Sequence, residues 1–483
     1  MSVIKNQMLK GVRWTGISTL LITIIQILQF ALLANQMSVA QFGLVGMITT
    51  IVIFSQILLD LGLGSAIIQR EELRERMLST LHWLNLFVGA GLFALLMGAS
   101  PLIAAFFHRE ELTQLIRLLA LMFLIAPVGQ QSQYLLQRDL RFNDLAIIEM
   151  GAAILSFIIL MVLIFTISPI YAYVISQVVL YALKGILYFF CYRKTWRPSF
   201  VFDLSECREV LPFGAFQLSS RLVNRIGSNI DVILIGRFLG AEALGIYNLV
   251  YQIVTIPVLK INPILTRVAF PVFSKHQGNT TALNDGFLHM TKLLGLVTFP
   301  MLMGLTAVAN VFIQSVFGEK WMEAVPILQI MAIVGILRVL MNPNGSVILA
   351  KGKANITFYW DAGVLILYGL TLWGAVLTGS LETVAWTYAG VSFVNFIVGR
   401  WLLAWLIQLR WKAYIKTIAV PFGLSLIMTV TAYFIKETSS GYFPQAAIWP
   451  LLISVTSGAG LYIMLLGFAY PNFIKKRTRG QQL

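Results

Sequence analysis

An all-α, polytopic membrane fold of about 14 transmembrane helices follows from three observations on this chain. Of its 483 residues, 58% are hydrophobic and 11% charged, against about 25% charged in soluble proteins. Apolar runs of about 20 residues, the length that crosses a bilayer, recur from one end to the other. Between them lie short loops rich in Lys and Arg. Those loops account for the net charge of +15 without nucleic acid, because such segments are held at an anionic cytoplasmic membrane face.

The runs fall at 14–35, 42–65, 81–106, 113–135, 145–166 and 169–190, and after a polar break at 213–239, 244–268, 290–313, 325–350, 357–378, 384–407, 415–435 and 447–469. The first is long for a signal-peptide core and no small-x-small site follows it, so it reads as an uncleaved span. The runs 213–239 and 244–268 are the most polar, and a hydropathy window would drop them first. Counting Lys and Arg in alternate loops gives 24 on the side of the N-terminus, 5 on the other and 6 within spans. That bias places both termini in the cytoplasm and favours an even number of spans.

Organisation follows from the breaks and from a repeat. Residues 1–190 form an N-terminal six-helix lobe and 191–212, with Pro198 and Pro212, a cytoplasmic linker. Residues 213–407 form a second six-helix lobe, and 408–483 two further helices with a basic tail. LANQMSVAQFGLVGMITTIV matches IGRFLGAEALGIYNLVYQIV with Gly43 over Gly245, an offset of 202, and Ser38 and Gly240 at the two turns. Residues 126–129 and 342–345 both carry Pro-x-Gly late in a fourth span, where proline frees a carbonyl and kinks the helix. Two six-helix lobes related in this way are a transporter arrangement, with the substrate path between them.

The segment Phe213–Leu239 has a membrane helix's length, about 40 Å at ~1.5 Å per residue, yet carries Gln217, Arg221, Arg225 and Asp231. Gln217, Arg221, Arg225 and Asn229 step by four and share one face, with Asn224 and Ser228 beside them. Each central arginine costs ~2.5–3.5 kcal/mol against lipid on insertion scales, so the face is expected to look into protein or water. Its neighbours in this respect are Gln26 and Gln29, Gln56 and Asp60, the span holding Asn248, Gln252, Lys260 and Asn262, and the Arg338–Asn342 pair before Pro343. The candidate substrate-binding set is Arg221, Arg225, Lys260, Arg338, Gln217 and Asn224. Asp60 and Asp231 are the candidates for coupling or charge balance.

The blander readings are that Arg221 and Arg225 pair with Asp231 as a packing device and that Lys260 snorkels to the cytoplasmic end of its span. Arg400 and Lys184 read as orientation anchors, and Trp401 and Trp405 as interface or lipid-facing residues. Two cysteines, Cys191 and Cys207, and four scattered histidines point to neither a disulfide nor a metal. No phosphate-binding lysine loop, paired metal carboxylates or nucleophile elbow occurs. An enzyme is therefore not expected, nor a cofactor. Coupling by an ion gradient or passive exchange is what the residues leave.

Five strings in order, QFGLVGMI at 41–48, DLGLGSAIIQR at 60–70, KINPILTRVAFPVFSK at 260–275, FGEKW at 317–321 and NPNGS at 342–346, resemble the polysaccharide flippases of the multidrug/oligosaccharidyl-lipid/polysaccharide exporter superfamily. They are most similar to its colanic acid-type exporters, and the likeness runs over nearly the whole chain. The resemblance implies movement of an undecaprenyl-pyrophosphate-linked oligosaccharide repeat unit across the bacterial inner membrane, for capsule, exopolysaccharide or O-antigen. It also implies two lobes that rock about a cationic cavity, with membrane lipids, a polysaccharide polymerase and export machinery as partners. A peptidoglycan-precursor flippase, a drug exporter of the same superfamily and a membrane scaffold of a polysaccharide synthase stay open beside it. A drug exporter would be expected to hold acids where this chain holds arginines. Because the first span offers glutamines but no charge beyond Arg13, the cationic site is expected to be weighted to the second lobe.

Overall fold

A computed structural model describes residues 2–60, 64, 67–68, 73–208, 210–255, 273, 278–443 and 447–470. Every regular element among them is helical. Twelve helices are long and apolar enough to cross a membrane, and they match 12 of the 14 expected runs. The two absent from that set are the polar pair. Residues 213–239 do form a helix, Val210–Phe238, whereas 244–268 is described only as far as 255.

The described chain divides into two compact units, Met1–Gly245 and Ile246–Leu483. The first holds α1 (Ser2–Gln36), α2 (Val39–Asp60), α3 (Glu75–Phe107), α4 (Glu111–Ala120), α5 (Met122–Arg138), α6 (Phe142–Leu163), α7 (Pro169–Tyr192) and α8 (Val210–Phe238). It also takes in the start of α9, a helix described over 240–255, as far as Gly245. Phe213–Leu239, which the repeat places at the head of the second lobe, thus packs in the first unit.

Local chemistry sets these elements. At the start of α2, the Ser38 hydroxyl accepts the Gln41 N–H and the Gln41 side chain accepts the Ser38 N–H, both at 3.2 Å. This reciprocal box satisfies two donors that a helix start leaves orphaned. Between α8 and α9 the turn falls at Gly240, φ +86°, a conformation that costs glycine nothing. α2 and α9 then meet at an unusually close approach. A Cβ on Gly43 would lie 1.8 Å from the Ala241 carbonyl oxygen, and one on Gly245 would lie 2.1 Å from that of Val39. Since 241 and 245 are 39 and 43 advanced by the repeat offset of 202, the contact is reciprocal, as across a local two-fold axis.

Prolines inside helices each leave a carbonyl four residues back without its donor. In α3, Pro101 orphans Met97, whose carbonyl accepts the Ser100 hydroxyl at 3.0 Å, and Arg117 donates to that hydroxyl at 3.1 Å. In α5, Pro127 orphans Phe123, and Gly89 of α3 lets the backbones close on that carbonyl, to 2.4 Å from an imagined Cβ. α5 crosses α7 at a second glycine pair, Gly129 against the Gly185 carbonyl. Small residues at such crossings are how membrane helices gain packing in the absence of a hydrophobic drive.

The linker after α7 is fastened back on α3. Trp83 donates to the Ser199 carbonyl at 2.8 Å, Ser199 bonds Ser79 at 2.9 Å, and the Asp203 N–H reaches Thr80 at 3.1 Å. Asp203 in turn caps a short 3₁₀ turn, Leu204–Cys207, by accepting the Ser205 N–H.

The second unit begins within α9. It continues with α10 (Thr280–Ala307), α11 (Ala309–Phe317), α12 (Ala324–Met341), α13 (Pro343–Ala350), α14 (Ala354–Val376), α15 (Leu381–Ile407), α16 (Trp411–Tyr442) and α17 (Ile448–Ala469). α10 starts ten residues before the apolar run expected at 290–313, because Asn279 caps it, accepting the Ala282 N–H at 3.0 Å. It ends at Ala307, and α11 follows after Val308. Pro300 orphans the Leu296 carbonyl, which accepts the Tyr462 hydroxyl of α17 at 2.7 Å.

The NPNG segment interrupts the helix at a single residue, Asn342, between α12 and α13. Asn342 takes the Val339 carbonyl at 3.2 Å, and the Leu340 carbonyl is taken by Arg400 at 3.1 Å. Arg400 is no orientation anchor. It is 0% exposed, bonds Asn344 and, at 3.3 Å, Tyr414, and lies 5.0–5.3 Å over the rings of Phe287, Phe396 and Tyr414. An interfacial anchor would keep its guanidinium in water; this one clamps a helix break. Trp401 and Trp405 on the same helix are 74% and 68% exposed, as lipid-facing residues are.

Candidate functional site

The polar face of α8 engages the end of α2 within the first unit. Arg221 donates to one oxygen of Asp60, and Tyr134 of α5 donates to the other. Gln130, one turn before Tyr134, donates to the tyrosine oxygen at 2.8 Å. The chain Gln130–Tyr134–Asp60–Arg221 thus joins three helices. It is graded in exposure: Tyr134 is buried, the Asp60 side chain is 19% exposed and the Arg221 side chain 43%. A phenol and a carboxylate fixed in protein thereby hold a guanidinium that is itself partly exposed. Gly64 makes room for the tyrosine, since a Cβ there would fall 2.6 Å from its ring.

Arg225, one turn on, is exposed, and its carbonyl accepts the Asn229 amide at 2.8 Å. Asp231 is 3% exposed and accepts the Val232 N–H at 2.9 Å. The arginine that the blander reading joined to Asp231 pairs instead with Asp60, 161 positions away in sequence. Gln217 and Asn224 lie on α8, but their side chains fall outside the described residues, as does Lys260 entirely.

Arg338 lies in the second unit, on α12. It donates to Tyr251 at 3.2 Å and to Tyr388, and stands 5.3 Å over each of those rings. Tyr368 packs on Tyr388 with ring centres 4.8 Å apart and shares a hydrogen bond with Ser392 at 2.6 Å. Among the described residues no carboxylate pairs with Arg338. The aromatic faces supply part of the compensation that an acid would otherwise give.

Sequence reasoning missed Tyr134, Gln130 and the tyrosines around Arg338. The spacing of Gln130 and Tyr134, four apart in an apolar span, was a usable signal. Lys184, read from sequence as an orientation anchor, is half-buried and stands 5.8 Å over the Tyr181 ring on α7, eight residues before that helix ends.

A bundle of this kind, with twelve helices long and apolar enough to cross a bilayer among the described residues, defines a multi-pass membrane protein. A profile of the polysaccharide biosynthesis protein family matches residues 32–326, and the chain belongs to that family. It is 58% identical over 483 residues, 100% of both chains, to the teichuronic acid biosynthesis protein TuaB of Bacillus subtilis (strain 168). It is 31% identical over 440 residues, 89% of this chain and 88% of the other, to the lipopolysaccharide biosynthesis protein WzxC of Escherichia coli (strain K12). Among solved structures, the lipid II flippase MurJ in an inward closed conformation superposes with a TM-score of 0.75 over 96% of this chain and 100% of that one, at 16% identity. That likeness concerns the fold.

Proposed function

We propose that this protein moves a lipid-linked, anionic oligosaccharide repeat unit across the bacterial cytoplasmic membrane, from the inner to the outer leaflet, by alternating access. The observation that carries the reading is Arg221, a half-exposed guanidinium on a helix of spanning length, held by Asp60 and the buried Tyr134. Against lipid such a group is costly; facing a wet path it is an anion seat. In that seat a carboxylate stands where a pyrophosphate would bind. Incoming substrate displaces Asp60 from Arg221, while Tyr134 keeps the released carboxylate hydrogen-bonded. Arg225, with Gln217 and Asn224, extends this seat along α8; Lys260 and Arg338 are proposed as further substrate-binding cations, and Asp231 as a balance of charge. Charge-assisted bonds of this kind strengthen where water is scarce.

On this reading the chain has 14 spans, six, six and two, with both termini in the cytoplasm. A polysaccharide polymerase and export machinery receive the product. The 58% identical relative is named for teichuronic acid biosynthesis, and a uronate in the substrate would add a second anion for these cations. The test is complementation of a strain lacking its own exporter. Arg221→Ala and Arg225→Ala are expected to abolish surface polymer at unchanged membrane levels, with lipid-linked oligosaccharide accumulating. Normal polymer from both variants would overturn the assignment.

A further inference from the structure

α7 carries a polar stripe that the headgroup site does not use. Tyr173, Gln177, Tyr181 and Lys184 follow at intervals of four, four and three, so they share one face of the helix. From Tyr173 to Lys184 they span about 16 Å at ~1.5 Å per residue. That face looks inward: Tyr173 bonds Thr49 of α2 at 3.2 Å, and Gln56, seven residues on from Thr49, lies on the same face of α2.

The stripe is under-satisfied. The Gln56 amide nitrogen is buried with no hydrogen-bond partner among the described residues. Lys184 lies within ion-pair distance of no carboxylate among them, and nearby Glu149 already accepts the Tyr188 hydroxyl at 3.3 Å. In a membrane span, buried amides without partners cost free energy that a polar occupant would recover. Alternating phenol rings and amides suit one class of ligand, a chain of pyranose rings, each with an apolar face and a rim of hydroxyls. The lysine adds a seat for a carboxylate on such a chain.

From this we infer that the α7 stripe, with Gln56, is a glycan subsite for a carboxylate-bearing oligosaccharide. The inference rests on the transport reading above and extends it from the anionic headgroup to the sugars. The test is equilibrium binding to the full chain in lipid nanodiscs. Its probes are a soluble hexuronic-acid-containing tetrasaccharide, the neutral tetrasaccharide of the same linkage, and inorganic pyrophosphate.

Tyr181→Ala should weaken both tetrasaccharides about fivefold, as loss of one ring contact does, and Tyr181→Phe should restore them. Lys184→Met should weaken the acidic tetrasaccharide alone. Arg221→Ala should weaken pyrophosphate. Unchanged tetrasaccharide affinity in both Tyr181→Ala and Gln177→Ala overturns the subsite, as does a wild-type protein that binds pyrophosphate and no tetrasaccharide. Wild-type binding of tetrasaccharide without pyrophosphate upholds the subsite and overturns the headgroup site instead. If Tyr181→Ala does not fold, Gln177→Ala and Lys184→Met decide the matter.

Discussion

The Tyr462 hydroxyl offers a measurable account of what the last two helices contribute. It is the donor that reaches the Leu296 carbonyl, at 2.7 Å, and that carbonyl lacks its helical donor because residue 300 is proline. Tyr462→Phe keeps the ring, which is 8% exposed, and removes the hydroxyl. A buried acceptor left unpaired costs ~1–3 kcal/mol in water-soluble proteins. Between membrane helices measured couplings average ~0.6 and reach ~1.7 kcal/mol. The expected loss is therefore about 1 kcal/mol, a fall of roughly 2–4 °C in unfolding midpoint for a unit of this size. The assay is thermal unfolding in detergent, run as a double-mutant cycle with Pro300→Ala. Alanine at 300 returns an N–H to the Leu296 carbonyl, so Tyr462→Phe should cost much less in that background. Equal losses with and without Pro300, or no loss in either, would refute the reasoning.

Other perturbations test other parts of the argument. Gly43→Ala and Gly245→Ala should each destabilise by ~1–3 kcal/mol through overpacking. Together they should cost less than the sum, since one forced separation of α2 and α9 relieves both, and strict additivity in the same unfolding assay would argue against the reciprocal contact. Arg400→Lys should fare almost as badly as Arg400→Ala, ~3 kcal/mol or more, because one ammonium cannot serve Asn344, the Leu340 carbonyl and three rings together. Full stability of the lysine variant would count against the clamp. Asp60→Asn should cut polymer output in cells, since an amide neither balances Arg221 nor competes with phosphate, and wild-type output would remove Asp60 from the mechanism. At the linker, hydrogen bonds from Ser205 hold the Asp203 carboxyl below the usual carboxylate range. A depressed acid stabilises above its unfolded pKa and loses that contribution as pH falls through its folded value. Amide-exchange protection at Ser205 should therefore persist at neutral pH and vanish only in acid, whereas Asp203→Ala should lack it at every pH.

Much of the fold was legible in order of sequence because bilayer thickness converts composition into length. A run of 20 apolar residues can do little but span, and 12 of the 14 expected runs are helices that qualify. Periodicity likewise put Arg221 and Arg225 on one face of a helix that composition alone would discard, and the 202-residue offset picked out Gly43 and Gly245 before any coordinates. Tertiary structure decided the partners. Arg221 pairs with Asp60 rather than with Asp231 ten positions away on its own helix, because helices that pack bring together residues no local pattern links. Arg400 shows the same limit. An arginine near the end of a span reads as an anchor from sequence, and only the packing of α12, α15 and α16 around it makes it a buried clamp. Hydropathy senses how much of a helix is apolar, not which way its few charges point, and direction is what distinguishes an anchor from a site.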